Sequence, residues 1–254
     1  MVLIGISLGL IGSGGSILTI PILVYLFGLS PDQAAVYSLF IVAVSAAVGS
    51  VQGLKNKLID KKMLLYFGLP SVLGIFTMRK FFMPILPDIL FQIGDWELSK
   101  NFVIMIVFAV LMILAALAMI RTKKVENAEN QAIDYKKIIL KGGFIGILTG
   151  FVGVGGGFLI IPTLVFSAGL GMKNAVATSL AIIAINALIG FGGSLGATEL
   201  DWILLSQLSG LAIIGILIGQ FLSKKISNEK LKPAFGWFVL LMGIYILIKE
   251  SFNF

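Results

Sequence analysis

"GFVGVGGGFLIIP", residues 150–162, sets five glycines and a proline inside a stretch otherwise apolar enough for a membrane helix. Gly and Pro are the poorest helix formers, so their clustering there marks a place where the helix is meant to break. A second stretch, "GLIGSGGSILTIP" at residues 9–21, has nearly the same layout.

The two stretches belong to a longer repeat. The separation of Gly12 from Gly153 is 141 residues, and the same offset pairs Gly5 with Gly146, Gly9 with Gly150 and Pro21 with Pro162. It goes on to pair Gly28 with Gly169, Ala34 with Ala175, Ser38 with Ser179, Gly49 with Gly190, Asp60 with Asp201 and Gly74 with Gly215. Gly and Pro matching in register over so long a stretch makes chance agreement between two apolar chains a poor explanation. The chain is read as two homologous halves, 1–120 and 142–254, joined by a polar linker at 121–141.

Composition sets the medium. The 254 residues are 58% hydrophobic and only 12% charged, about half the charge of a soluble domain. Apolar spans lie near 33–53, 63–78, 102–120, 175–196, 202–222 and 234–248, several of them close to the roughly 20 residues that cross a bilayer. An all-α polytopic membrane protein is expected. The net charge of +7 sits in loops between the spans, the ordinary mark of cytoplasmic faces, so no nucleic-acid partner is expected. No cationic segment precedes the first apolar run, so no cleaved signal peptide is expected.

Loop charges orient the halves. The loops 53–62, 121–141 and 223–233 are rich in lysine and are placed inside, which makes the linker cytoplasmic. The loop 196–201 carries only Glu199 and Asp201 and is placed outside; the longer, mixed stretch 79–100 is placed there too. Asp60 and Asp201 are repeat equivalents on opposite sides, so the halves are expected to be inverted. The segment 142–168 must then return to the side it started from. Two full crossings need about 40 residues, and this segment falls well short. It is expected to be a re-entrant hairpin broken at 153–157, and 1–27 its counterpart from the other side, with the tips meeting near the midplane. Irregular backbone is tolerated at that depth only where it is buried in protein or lines a cavity. The patterns Gly5/Gly9, Gly142/Gly146/Gly150 and Gly215/Gly219 read instead as close helix packing.

Little other chemistry is available. There is no cysteine and no histidine, and every acid, and every base including Arg79 and Lys173, maps to a span end or loop. That disfavours an enzyme, a metal or cofactor site and a proton pump. Neither glycine cluster is a phosphate-binding loop of the G-x-x-x-x-G-K-[ST] type. Inverted halves with paired broken helices are the architecture of secondary transporters. A short helix that starts after a glycine cluster points free N–H groups and partial positive charge at the cavity, and so holds an anion without a cationic side chain. The second half-helices are expected to start near Ser16 and Gly157. Candidate binding residues are Gly12, Ser13, Gly14, Gly15 and Ser16 in the first half, with Thr19, Ser38 and Ser45 beside them. In the second half they are Gly153, Gly155, Gly156 and Gly157, with Thr178, Ser179 and Asn186. Each Ser or Thr has an alternative reading as a bond back to its own helix, and Asn186 as an interhelical bond that only packs. Gln52 and Gln207 are weaker candidates at span ends. Pro21 and Pro162 are expected to shape the second half-helices as structural hinges. Trp96, Trp202 and Trp237 suit the membrane interface, and 81–96 reads as an external loop with an interfacial segment.

A duplicated G-x-G-G-G-x-x-x-x-P followed by A-x-A-T-S-L resembles the sulfite exporter TauE/SafE family of membrane permeases. The second half carries it fully, with "GVGGGFLIIP" at 153–162 and "AVATSL" at 175–180. The first half reads "GSGGSILTIP" and "AAVYSL", with Ser16 for the last glycine and Tyr37 where the second half has Thr178. The resemblance implies transport of a small sulfur-containing anion such as sulfite, thiosulfate or an organosulfonate, often outward, with membrane lipid as the surrounding partner. By motif match it carries over Gly12, Gly14, Gly15, Gly153, Gly155, Gly156, Gly157, Thr178 and Ser179. A passive anion channel and a membrane scaffold subunit that transports nothing are the other readings. A homo-oligomeric state is left open.

Overall fold

The structure is a computed structural model that describes residues 1–12, 14–93, 96–121, 134–196, 199–223 and 228–252. Ser13 and most of the expected linker lie outside the described residues, as do the side chains of Gly14, Gly15 and Ser16. The described residues form ten helices and one strand pair. In chain order these are α1 (Val2–Ile11), α2 (Gly14–Phe27), α3 (Pro31–Lys55), α4 (61–85), β1 (Ile89–Ile93), β2 (Trp96–Ser99) and α5 (Lys100–Arg121), then α6 (Tyr135–Val152), α7 (Gly157–Ala168), α8 (Met172–Gly193), α9 (Trp202–Ser223) and α10 (Asn228–Phe252). Four helical stretches, Pro31–Lys55, Lys100–Ala118, Met172–Gly193 and Trp202–Ser223, are long and apolar enough to cross a membrane.

The centre is made by α3 and α8. The apolar window of α3 is 67% buried, against 39% for those of α5 and α9. The outer surface is apolar as well, with Leu3, Leu26, Leu140 and Ile203 all more than 70% exposed. A surface of that kind is at home in lipid rather than water.

Helices related by the 141-residue offset make matching contacts. Helix α1 lies on α9, and its equivalent α6 lies on α4; α3 pairs with α8, α5 with α10, and α2 touches α7. The contacts match residue by residue. A Cβ at Gly5 would run into the carbonyl of Ala212, and one at its equivalent Gly146 into the carbonyl of Ser71, the equivalent of Ala212. Gly215 meets the Val2 carbonyl, and its equivalent Gly74 meets that of Gly143. These glycines bring helix backbones into direct contact, as expected for small-residue stripes, where packing at close range replaces the hydrophobic effect. Helices α3 and α8 run antiparallel. Gly53 near the end of α3 lies against Ala177 near the start of α8, and Gly190 near the end of α8 lies against Leu39 near the start of α3.

Several boundaries differ from expectation. The span expected at 63–78 continues to residue 85, through two π-helical turns at Leu64–Gly68 and Met78–Phe82. Each turn ends two residues before a proline, Pro70 or Pro84. A proline ring clashes with the carbonyl four residues back and offers it no N–H, and a widened turn relieves that conflict without ending the helix. Arg79 therefore sits inside a helix rather than in a loop. Beyond it, residues expected to be an irregular external loop form an antiparallel pair, with Phe91 opposite Leu98 and Gln92 opposite Glu97. Helix α6 reaches back into the expected linker, starting at Tyr135, where the Asp134 side chain accepts from the Lys137 amide at 3.2 Å. That backbone donor holds the Asp134 carboxyl below its ordinary pKa. Helix α2 begins at Gly14, before Ser16, and α10 extends well past both ends of 234–248.

Candidate functional site

The two glycine clusters are helix breaks. Helix α1 ends at Gly12, which adopts φ +77° and donates its N–H to the Leu8 carbonyl at 2.7 Å. Helix α6 ends at the equivalent Gly153, with φ +82° and a 2.9 Å bond to the Thr149 carbonyl. Helix α7 then starts from Gly156, which is again left-handed at φ +76°. An L-residue at either position would crowd its Cβ against the backbone, so the break needs glycine there. The first intrahelical bonds of α7 run from Leu159 and Ile160 to the Gly156 carbonyl. The amides of Gly157 and Phe158 thus have no acceptor within the helix and face the break.

The surroundings of the second break come from α3, α4 and α8. A Cβ at Gly153 would strike Ala35 and the Arg79 guanidinium. One at Gly155 would lie 2.7 Å from Val42 and 2.8 Å from Ile183. Ala35, Ser38 and Val42 share one face of α3 by helical spacing, so Ser38 belongs to the face that lies on the break. Its hydroxyl is buried and has no hydrogen-bond partner. The first break is built in the same way. Gly12 packs on Val176 of α8, and Ser179 shares that face, with its hydroxyl bonded back to the Val176 carbonyl at 2.9 Å.

The remaining candidates spread around these breaks. Thr178 is buried and accepts from the Asp60 amide at 2.9 Å. Tyr37, its repeat equivalent, accepts from the amide of Asp201 at 2.6 Å. The substitution that departs from the repeat thus keeps the same bond to the equivalent aspartate, and both side chains fasten a loop to a central helix. Ser45 donates to the Ile41 carbonyl of its own helix. Asn186 is buried, with its amide nitrogen 2.6 Å from the Ser71 hydroxyl of α4 and its amide oxygen unpartnered. It lies on the face of α8 that borders a largely apolar groove of about 1280 Å³ between α3, α4 and α8. Pro21 and Pro162 lie inside α2 and α7, and Thr19 is buried.

Two groups escape sequence reasoning. Thr149 supports the second break, since a Cβ at Gly156 would lie 2.5 Å from its methyl group. Arg79 is among the largest fully buried side chains. Its Nη1 is 3.9 Å from Asp32, and Lys100 bridges Asp32 at 3.3 Å and Asp88 at 3.2 Å. At the other end of α3 an open cavity of about 470 Å³ is lined by Gln52, Asn56, Lys173 and Gln220, with Gly9 and Val176 on the side of the first break. Lys173 and Gln220 are the repeat equivalents of Asp32 and Arg79.

A multi-pass helical bundle with an apolar exterior, two helix breaks and a cavity running toward one of them is the build of a membrane transporter. The chain belongs to the family described as "Sulfite exporter TauE/SafE", which it matches over residues 1–246. It is similar to a "Probable membrane transporter protein" of Xylella fastidiosa strain 9a5c, at 27% identity over 96% of this chain and 91% of that protein. It is also similar to "Probable membrane transporter protein MJ0441" of Methanocaldococcus jannaschii, at 25% identity over 98% and 94% of the two chains. A third relative is "Probable membrane transporter protein YunE" of Bacillus subtilis, at 24% identity over 100% and 98%. No solved structure matches the chain.

Proposed function

We propose that this protein is a secondary transporter that moves a small sulfur-containing anion, such as sulfite, thiosulfate or an organosulfonate, outward by alternating access. The anion is held at the N-terminal ends of the half-helices α2 and α7. The observation that carries this reading is the second break: a left-handed Gly156 that opens α7, free amides at Gly157 and Phe158, and a buried, unpartnered Ser38 hydroxyl on the facing helix. Free amides and an open hydroxyl donor suit an oxyanion, and the helix dipole adds positive potential there. The description of the family supports the substrate class.

The same observations support an inverted-repeat plan. Helices α1 and α2, of 10 and 14 residues, and α6 and α7, of 18 and 12 residues, rise about 15, 21, 27 and 18 Å at 1.5 Å per residue, each short of a hydrocarbon core of about 30 Å. Paired half-helices of that size suit re-entrant hairpins, and the antiparallel packing of the equivalent α3 and α8 suits halves of opposite topology. Each half then contributes one hairpin and three crossings, with the linker on the cytoplasmic side. The open cavity by Lys173 is the inward-facing entrance, and the Asp32 end of the bundle is the opposite face. Alternating access comes from one set of helices rocking against the other.

Energetics fit export. A negative interior drives an anion outward by about 2.3 kcal/mol per charge per 100 mV, so no coupled proton site is required. The test is flux of radiolabelled sulfite from proteoliposomes under an imposed potassium-diffusion potential. Saturable flux that scales with the potential is expected. Flux that ignores the potential overturns the uncoupled mechanism, and single-channel conductance in planar bilayers would replace the carrier by a pore.

A further inference from the structure

We propose that Arg79 is the cationic anion-binding residue at the second helix break, and that Asp32 stands in for the transported anion while the outer face is closed. This rests on the anion-transport reading and names a fixed charge in its site. A guanidinium carries five N–H donors in a planar fork suited to oxyanions. Burying it is costly unless it is paired and fully hydrogen-bonded. In this structure the pairing is incomplete. Its Nε and Nη2 have no partner, and its contact with Asp32 is long at 3.9 Å. Asp32 is itself shared with Lys100, which lies closer, at 3.3 Å.

One of the spare donors is at the site. The Nη2 group lies where a Cβ of Gly153 would be, so an alanine there would collide with it. The same break presents the Gly157 and Phe158 amides and faces the unpartnered Ser38 hydroxyl. Side-chain donors from α3 and α4 and main-chain donors from α7 therefore all border the second break. The π-helical turn Met78–Phe82 places Arg79 there, and such turns often mark functional positions within helices.

The repeat shows why one cation suffices. The position equivalent to Arg79 is Gln220, which donates to the Gly49 carbonyl at 2.6 Å and lines the open cavity with Lys173. The charge order is thus reversed between the two faces: an acid with a buried arginine at one, a lysine with a neutral amide at the other. An anion entering past Lys173 moves toward the buried Arg79 and competes with Asp32 for it. Loosening Arg79 from Asp32 is then the event that frees the outer face.

The test is sulfite binding to purified full-length protein in detergent, read as the concentration dependence of its thermal unfolding, with sodium chloride as the control. Arg79→Gln is expected to weaken sulfite by about tenfold or more, the worth of a charge-assisted bond, and Arg79→Lys to recover part of that. Asp32→Asn is expected to tighten sulfite severalfold, because the competing carboxylate is gone. If Arg79→Gln does not fold, Asp32→Asn decides. Unchanged sulfite affinity in Arg79→Gln, or unchanged or weaker affinity in Asp32→Asn, overturns the assignment while the transport reading stands. If neither sulfite, thiosulfate nor sulfate shifts the unchanged protein, both fall.

Discussion

Gly156→Ala is the substitution whose cost follows most directly from the structure. Gly156 has φ +76°, and a Cβ there would lie 2.5 Å from the Thr149 methyl group, 3.2 Å from its Cβ and 3.4 Å from its hydroxyl. Two costs are separable. Holding an L-residue in the left-handed region costs about 1–2 kcal/mol. Forcing a methyl into a filled site adds about 1–3 kcal/mol. The single variant should therefore lose about 2–5 kcal/mol. Thr149→Ser deletes the nearest atom but leaves the backbone conformation as it is. The double variant should regain most of the steric part and keep the left-handed penalty of about 1–2 kcal/mol. Reversible unfolding in mixed micelles measures all four proteins of this cycle. An alanine variant as stable as the starting protein would refute the left-handed break, and a double variant no better than the single would refute the contact with Thr149. Gly156→Val, with a bulkier side chain, should abolish transport in protein that still inserts; normal transport in that variant would remove the break from the site.

Two further predictions follow from the helix contacts. Gly146→Val drives a side chain into the Ser71 carbonyl, which cannot rotate away, and should cost about 3 kcal/mol or more, whereas Gly192→Ala meets nothing within 4 Å and should be neutral or stabilising by about 0.5–1 kcal/mol; equal effects in the same unfolding assay would contradict the close packing of α4 and α6. Asn186→Ala and Ser71→Ala each remove a buried interhelical bond and should each cost about 0.6–1.7 kcal/mol, while a loss of sulfite binding in Asn186→Ala beyond that in Ser71→Ala would show that the free amide oxygen end of Asn186 faces the substrate path.

Glycine spacing made the helix breaks legible, because left-handed backbone at a helix end has a strong residue preference and the same spacing occurs twice in the chain. Gly12 and Gly153 adopt the same conformation at equivalent positions. The small-residue stripes were legible for a related reason: Gly5, Gly146 and Gly215 can only serve backbones that touch. Arg79 was not legible. The doublet Arg79–Lys80 stands among aromatic residues and before Pro84 and Pro87, a pattern that reads as a loop, and a π-helical turn that carries the helix past it leaves no trace in hydropathy. The strand pair Ile89–Ile93 and Trp96–Ser99 was hidden for the opposite reason, since short alternation beside Pro87 and Gly94 is weaker than the turn signals around it. Asn186 could be singled out as a buried amide, but its partner Ser71 lies 115 positions away, and no local pattern names such a pair. Tyr37 looked like a departure from the repeat, yet its hydroxyl replaces that of Thr178 in a bond to the matching aspartate. The physical requirement is an acceptor at that point in space, which two quite different side chains meet.

The most direct measurement is the thermal stability of the purified protein against a panel of anions: sulfite, thiosulfate, sulfate, a short organosulfonate, chloride and acetate. A ligand that binds only the folded state stabilises it by mass action, by about 2.7 kcal/mol at one hundred times its dissociation constant. At least one sulfur oxyanion should raise the melting temperature in a saturable way, and chloride and acetate should not. A melting temperature indifferent to every sulfur anion, or raised equally by all six, would contradict a site built to hold one.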